Sequence, residues 1–195
     1  MPTQTGYDKR YRAGGFGYEK RRSHWEKWVA AHYVEAFGLE KGGRLLDLPC
    51  GDGFWSSVFD GLGFKVIGVD RSEGGVEMAR SSYPGITFMQ GDVEAPLELE
   101  AASFDVVFCR GLTHFHRRRL FTKRMERAMR NLMRYVAPKG QLLVSYYTKR
   151  DGGGTQHHAY HPVSDLVKVA ETVGDPYKIE VVGDYVQVGV RPDGR

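Results

Sequence analysis

The chain has 195 residues, a formal charge of +4, two cysteines, and 41% hydrophobic and 27% charged residues. That length can bury one sizeable core, and the composition excludes a disordered chain, a disulfide-stapled scaffold and a membrane-embedded protein. With a polar, aromatic N-terminus that carries no signal-peptide core, a reducing, cytoplasmic and soluble protein is expected.

Residues 1–40 read as an N-terminal cap segment. Tyr7, Tyr11, Phe16 and Tyr18 lie in a glycine-rich stretch, and Trp25, Trp28, Val29, Tyr33 and Phe37 then recur at helical spacing. These aromatics would form either a lid or a packing layer on a sheet. Residues 41–195 read as one domain in which β-branched runs alternate with longer helical patterns, the mark of an α/β fold. A first strand at 44–48 runs into Pro49-Cys50-Gly51-Asp52-Gly53, and a helix follows with Phe54, Trp55, Val58, Phe59 and Leu62. A second strand at 65–70 precedes Ser72, the expected N-cap of a helix carrying Val76, Met78 and Ala79. A third strand, 86–89, ends at Gly91-Asp92. A fourth, 104–109, leads to a basic helix expected from about Arg117, with Leu120, Phe121, Met125, Ala128, Leu132 and Val136 inward and Pro138-Lys139-Gly140 as its stop. A fifth strand at 141–147 and a short helix at 165–173 come next. Strands at 179–182 and 185–190, joined at Gly183-Asp184 as a tight hairpin, bring the count to seven.

A glycine turn between strand and helix lets the backbone approach a ligand closely, and helix N-terminal amides favour an anionic group. Gly51 and Gly53 fit that role. Asp70, at the end of the second strand, stands where a doubly wound fold places a carboxylate that accepts both hydroxyls of an adenosine ribose. One strand further on, Asp92 or the backbone of Val93 could meet the exocyclic amine of an adenine. A nicotinamide-binding reading is disfavoured because position 56 is Ser where Gly-x-Gly-x-x-Gly needs its third glycine.

Leu45-Leu46-Asp47-Leu48-Pro49-Cys50-Gly51-Asp52-Gly53, Val69-Asp70, Gly91-Asp92-Val93, the run from Phe104 to Gly111 and the Pro-Lys-Gly at 138–140 together resemble the ordered motifs of class I S-adenosylmethionine (SAM)-dependent methyltransferases, over roughly residues 40–190. The terminal hairpin is similar to that family's reversed last strand. The resemblance implies a seven-stranded, mostly parallel, doubly wound sheet with a reversed last strand and an N-terminal helical cap. It implies SAM as cofactor. Asp47, Pro49, Cys50, Gly51 and Gly53 would then hold the methionine moiety, Asp70 with Arg71 beside it the ribose, and Asp92 with Val93 the adenine. Cys109 and Arg110 would line the floor beside the methyl group. Pro49 departs from the family's usual glycine and removes an amide donor. The fourth strand also lacks the Asn/Asp-Pro-Pro-Tyr/Phe pattern of exocyclic and amide nitrogen methylation.

Methyl transfer from a sulfonium is an in-line displacement, so the enzyme aligns, desolvates and, for a hydroxyl acceptor, removes a proton. His114, after the fourth strand, is the expected base, and His116 beside it a substrate contact. Tyr11, Tyr146, His157 and His158 are further substrate candidates; of Tyr146 and Tyr147 one must face the other side of the sheet. No metal is expected at the histidines of 157–161. Cys109 is read as a buried pocket residue rather than a nucleophile. Between 117 and 139 stand nine Lys/Arg against one acid, Glu126. That basic face is either solvated or a phosphate contact. The expected activity is methylation of a small-molecule acceptor at oxygen or nitrogen, with RNA or other nucleic acid as the alternative acceptor and a non-catalytic SAM-binding regulatory module as the alternative class. No membrane partner is expected.

Overall fold

The computed structural model describes residues 4–148 and 159–193. Along them run helices α1 (Gln4–Arg12), α2 (Arg22–Val29), α3 (Phe54–Gly61), α4 (Glu73–Ser82), α5 (Lys123–Arg134) and α6 (Val163–Glu171). The strands are β1 (Arg44–Asp47), β2 (Lys65–Asp70), β3 (Thr87–Gln90), β4 (Phe104–Arg110), β5 (Val136–Tyr147), β6 (Asp175–Val182) and β7 (Tyr185–Arg191). The strand order is β3-β2-β1-β4-β5-β7-β6. This is the expected α/β sheet: β1, β2 and β3 pair in parallel, as do β4 and β5, while β7 runs antiparallel to both β5 and β6. By its contacts the chain divides into two compact units, residues 2–93 and 94–195.

In the first unit, β1 buries Leu45 and Leu46 on opposite faces, as a strand covered on both sides requires. Helix α3 is buried along its first six residues, including Phe54, Trp55, Val58 and Phe59. The N-terminal aromatics pack on it. Trp25 meets Trp55 edge to face at 5.3 Å, Tyr18 lies 5.4 Å from Phe54, and Tyr33 stacks on Phe59 at 6.1 Å. The helix expected through Phe37 is present and continuous, as α2, a π-helical turn, Ala30–Glu35, and a last helical stretch at Ala36 and Phe37. Helix α1 is a departure from the sequence reading, which saw only a glycine-rich stretch there. Its apolar signal is just Tyr7 and Tyr11, one turn apart, and tertiary contacts hold it: Asp8 accepts the Ser72 hydroxyl and the Gly74 amide at the start of α4.

In the second unit the basic helix starts at Lys123, later than the charge pattern suggested. The Thr122 side chain accepts the amide of Met125 and caps it, and the backbone of Thr122 is extended. Phe121, expected inward, is therefore outside the helix and 58% exposed. Met125, Ala128, Met129 and Leu132 form the buried stripe. Val136 and the Pro-Lys-Gly at 138–140 belong to β5, not to a helix stop. The pairing steps from Phe104↔Val136 to Val106↔Gln141, so the intervening residues form an irregularity in which a proline costs no ladder bond. Helix α6 begins two residues earlier than expected, and β6 at Asp175 rather than 179. Gly183, at φ 60°, makes the hairpin turn.

Candidate functional site

In the first unit the candidate cofactor residues gather at the carboxyl ends of β1, β2 and β3, the edge where open α/β sheets bind ligands. Gly51 and Gly53 have φ of 58° and 78°, in the left-handed region that favours glycine. A Cβ on Gly53 would stand 2.8 Å from both the Ala79 methyl and the Phe88 ring, and one on Gly51 would stand 2.6 Å from the Tyr11 hydroxyl. The turn thus presses on a small core of Cys50, Val76, Ala79 and Phe88, with Tyr11 of α1 laid over it. The Leu48–Pro49 peptide is cis.

Asp70 fixes the turn. Its Oδ2 accepts the Gly51 amide and its Oδ1 the Ser72 amide, each at 2.8 Å, and the residue is buried. Burial raises its pKa, against the pull of the Ser72 and Gly51 amides, the Arg71 charge and the Arg71 amide. A carboxylate has about four lone-pair sites, so beyond these three amides it retains acceptor capacity for a ligand hydroxyl. Asp47, also buried, accepts the Ser56 hydroxyl at 2.6 Å, so the serine that displaces a dinucleotide-type third glycine ties α3 to β1. Asp92 lies 3.7 Å from Arg71, and Val93 is buried. Burial pushes the Cys50 thiol well up, which keeps it protonated. Tyr11 is buried against the turn, and its phenol pKa is raised by that burial and then by Asp70. A turn with no room for side chains, flanked by carboxylates that retain acceptor capacity, fits an adenosyl cofactor.

In the second unit Cys109 is fully buried and outside any disulfide, and Arg110 lies over the Tyr185 ring at 5.3 Å. His114 and His116 sit in a short 3-10 turn, Thr113–His116, after β4. His114 is 6% exposed, and its Nε2 lies 2.8 Å from Glu94 Oε1. The same carboxylate accepts Nε of Arg124 at 2.8 Å and Nη2 of Arg127 at 3.3 Å. Those cations, Arg124 first, hold Glu94 down at about 2, while burial lowers the His114 pKa despite Glu94. His116 stacks on Tyr146 at 5.2 Å. The Tyr146 hydroxyl accepts the amide of His161, and the His161 Nε2–H donates to the Arg117 carbonyl at 2.7 Å, so this histidine serves the backbone. Tyr147 faces away, toward Asp184 and Tyr185, which confirms the expected alternation. His157 and His158 lie outside the described residues. Among the described residues, no cluster of three His, Cys, Asp or Glu could hold a metal.

Two residues with clear roles here were not singled out from sequence, Glu94 and Asp8, and Ser56 entered only as the residue in place of a third glycine. Only Glu94 carried a signal, since it follows directly on Gly91-Asp92-Val93.

Residues 46–144 match the methyltransferase domain family. A demethylmenaquinone methyltransferase of Renibacterium salmoninarum is 29% identical over 116 residues, covering 59% of this chain and 46% of that one. A ubiquinone biosynthesis O-methyltransferase of Hahella chejuensis is 36% identical over 81 residues, 40% of this chain and 34% of its own. The chain spans about half the length of the curated relatives it matches. Among solved structures, a TehB-like SAM-dependent methyltransferase of Corynebacterium glutamicum superposes with a TM-score of 0.67 at 19% identity, covering 97% of this chain and 98% of that one.

Proposed function

The chain belongs to the methyltransferase domain family, and from that premise we propose that it uses SAM to methylate a small-molecule acceptor at oxygen or nitrogen. The observation that carries the reading is the Gly51/Gly53 turn pinned by the buried Asp70. When bound there, SAM supplies an electrophilic methyl group on a sulfonium. The turn and Asp47 face the amino-acid end of such a ligand, Asp70 with Arg71 its ribose, and Asp92 with Val93 its adenine. Tyr11 covers the turn. On the acceptor side, Cys109 and Arg110 line the floor, and His116 and Tyr146 form an aromatic wall for the substrate. His114 takes the acceptor proton as the new bond to carbon forms, and water later removes that proton from the imidazolium. His157 and His158 are kept as substrate contacts on sequence grounds.

A small acceptor is supported by the names of the relatives, which include quinone-pathway methyltransferases. It is also supported by the basic face: Arg124 and Arg127 are turned to Glu94, and Arg130 to Glu126, so these three arginines are engaged within the chain. Two buried cysteines outside any disulfide support a reducing, cytoplasmic setting; among the described residues no helix is long and apolar enough to cross a membrane. We take residues 1–40 as a cap on a methyltransferase domain of residues 41–195.

Native mass spectrometry of the purified chain, followed by calorimetric titration with SAM, tests the cofactor. Bound nucleoside and saturable binding are expected, and no binding contradicts the reading. His114→Ala should keep SAM affinity and lose about 10²–10⁴-fold in turnover; unchanged turnover contradicts the base assignment.

A further inference from the structure

The cluster around His114 holds more than a base. Glu94 receives three close contacts from Arg124: Nε lies 2.8 Å from Oε1 and 3.0 Å from Oε2, and Nη2 2.5 Å from Oε1, alongside Nη2 of Arg127 and Nε2 of His114. We propose that Glu94 is a positioning residue for methyl transfer: clamped by Arg124 and Arg127, it holds the His114 ring by Nε2–H, so that Nδ1 is the nitrogen that receives the acceptor's proton. The proposal rests on the reading of His114 as the base.

Two independent features carry it. An ionised carboxylate only accepts hydrogen bonds, so the proton shared with Glu94 belongs to Nε2, and the neutral ring then has its lone pair on Nδ1. That Nδ1 is buried and has no hydrogen-bond partner among the described residues, while the His114 side chain is 7% exposed. A buried acceptor left without a donor costs about 1–3 kcal/mol, and a hydroxyl or amine of a bound substrate is the kind of group that satisfies it. A staple between Glu94 and α5 would be complete with the arginines alone; it does not need the histidine.

The proton balance follows. The acceptor X–H gives its proton to Nδ1 as X bonds to the methyl carbon, and the electrons of the S–CH₃ bond return to sulfur. The ring is then an imidazolium with both nitrogens protonated, and its charge is met by Glu94 across the Nε2–H contact. Arg124 on α5 and Arg117 beyond the 3-10 turn are the cations that oppose this protonated form, and Glu94 offsets them.

The test is Glu94→Gln, with Arg124→Gln as a second variant should the first fold poorly. In the wild type, nitrogen-15 NMR of labelled histidines should show His114 neutral near pH 7 with its proton on Nε2. In Glu94→Gln its titration should move to lower pH, because the counter-charge is gone. Calorimetry should find SAM affinity within about twofold of wild type, and turnover should fall at least about tenfold, a share of what a positioned base contributes. A staple alone would leave the titration in place. An Nδ1–H tautomer in the wild type, or wild-type methyl transfer with an unmoved His114 titration in Glu94→Gln, overturns the positioning role while leaving the methyltransferase reading intact. Absence of methyl transfer by the wild type overturns that reading and the proposal with it.

Discussion

Asp70 is asked to do two things, and replacing it separates them. Its carboxylate accepts two backbone amides, Gly51 and Ser72, both at 2.8 Å, and is 8% exposed. Asp70→Ala leaves the Ser72 amide buried and unmet, at about 1–3 kcal/mol, and the half-buried Gly51 amide unmet at less, or roughly 2–5 kcal/mol in all. Asp70→Asn is the gentler probe: its amide oxygen still accepts one N–H while its NH₂ faces the other, so about 1–3 kcal/mol is lost. At this chain length that is roughly 2–12 °C in melting temperature. A urea titration should therefore show the Asn variant with a lower midpoint and an unchanged slope, and the Ala variant lower again. Calorimetry on the folded Asn variant should show SAM binding weakened at least about tenfold, since a ribose hydroxyl loses a charged acceptor. A wild-type midpoint for Asp70→Asn would refute the pinning of the glycine turn. A lowered midpoint with undiminished SAM affinity would refute the ribose role alone.

Gly51→Ala places a side chain at φ 58°, costing about 1–2 kcal/mol, and drives it against the Tyr11 hydroxyl. Denaturation should show that loss and calorimetry a weakened SAM affinity, whereas wild-type values in both would argue against the close approach. Ser56→Ala removes the 2.6 Å donor to the buried Asp47 and should lower stability by about 1–3 kcal/mol in a urea melt; an unchanged midpoint would contradict the contact. Glu94 titrates at about 2 in the fold against an ordinary value of 4.5, so its contribution is complete above pH 4.5 and is lost as pH falls toward 2. Urea midpoints measured from pH 6 to pH 3 should thus fall more steeply for wild type than for Glu94→Gln, and parallel curves would count against the clamp.

The parts of the fold read correctly from sequence are those where one local rule decides. β2 was placed at its observed limits because six residues, Lys65 to Asp70, are closed by a strand-ending acid and a serine cap, and the Ser72 hydroxyl does accept the Gly75 amide. The glycine turn and the hairpin at Gly183 were legible because only glycine takes their left-handed backbone at no cost. The basic pattern points to an earlier helix start because charge begins at Arg117, but residues 117–122 are bent and non-helical, and the deciding signal is the weaker Thr122 cap. Helix α1 escaped because docking on α4 through Asp8 stabilises it, a contact 64 residues away in sequence. The site shows the same division. Asp70 and His114 sit where strand ends place them, but Glu94 reaches His114 across 20 positions, a separation with no periodicity to reveal it.

Transfer of a labelled methyl group from SAM, by the purified chain, into a metabolite extract and separately into RNA decides between the acceptor classes. Label is expected in a small molecule of the extract, lost in His114→Ala, with none above background in RNA. Saturable SAM binding with no label in either pool would contradict methyl transfer and point to a binding module, and label confined to RNA would contradict the small-molecule acceptor.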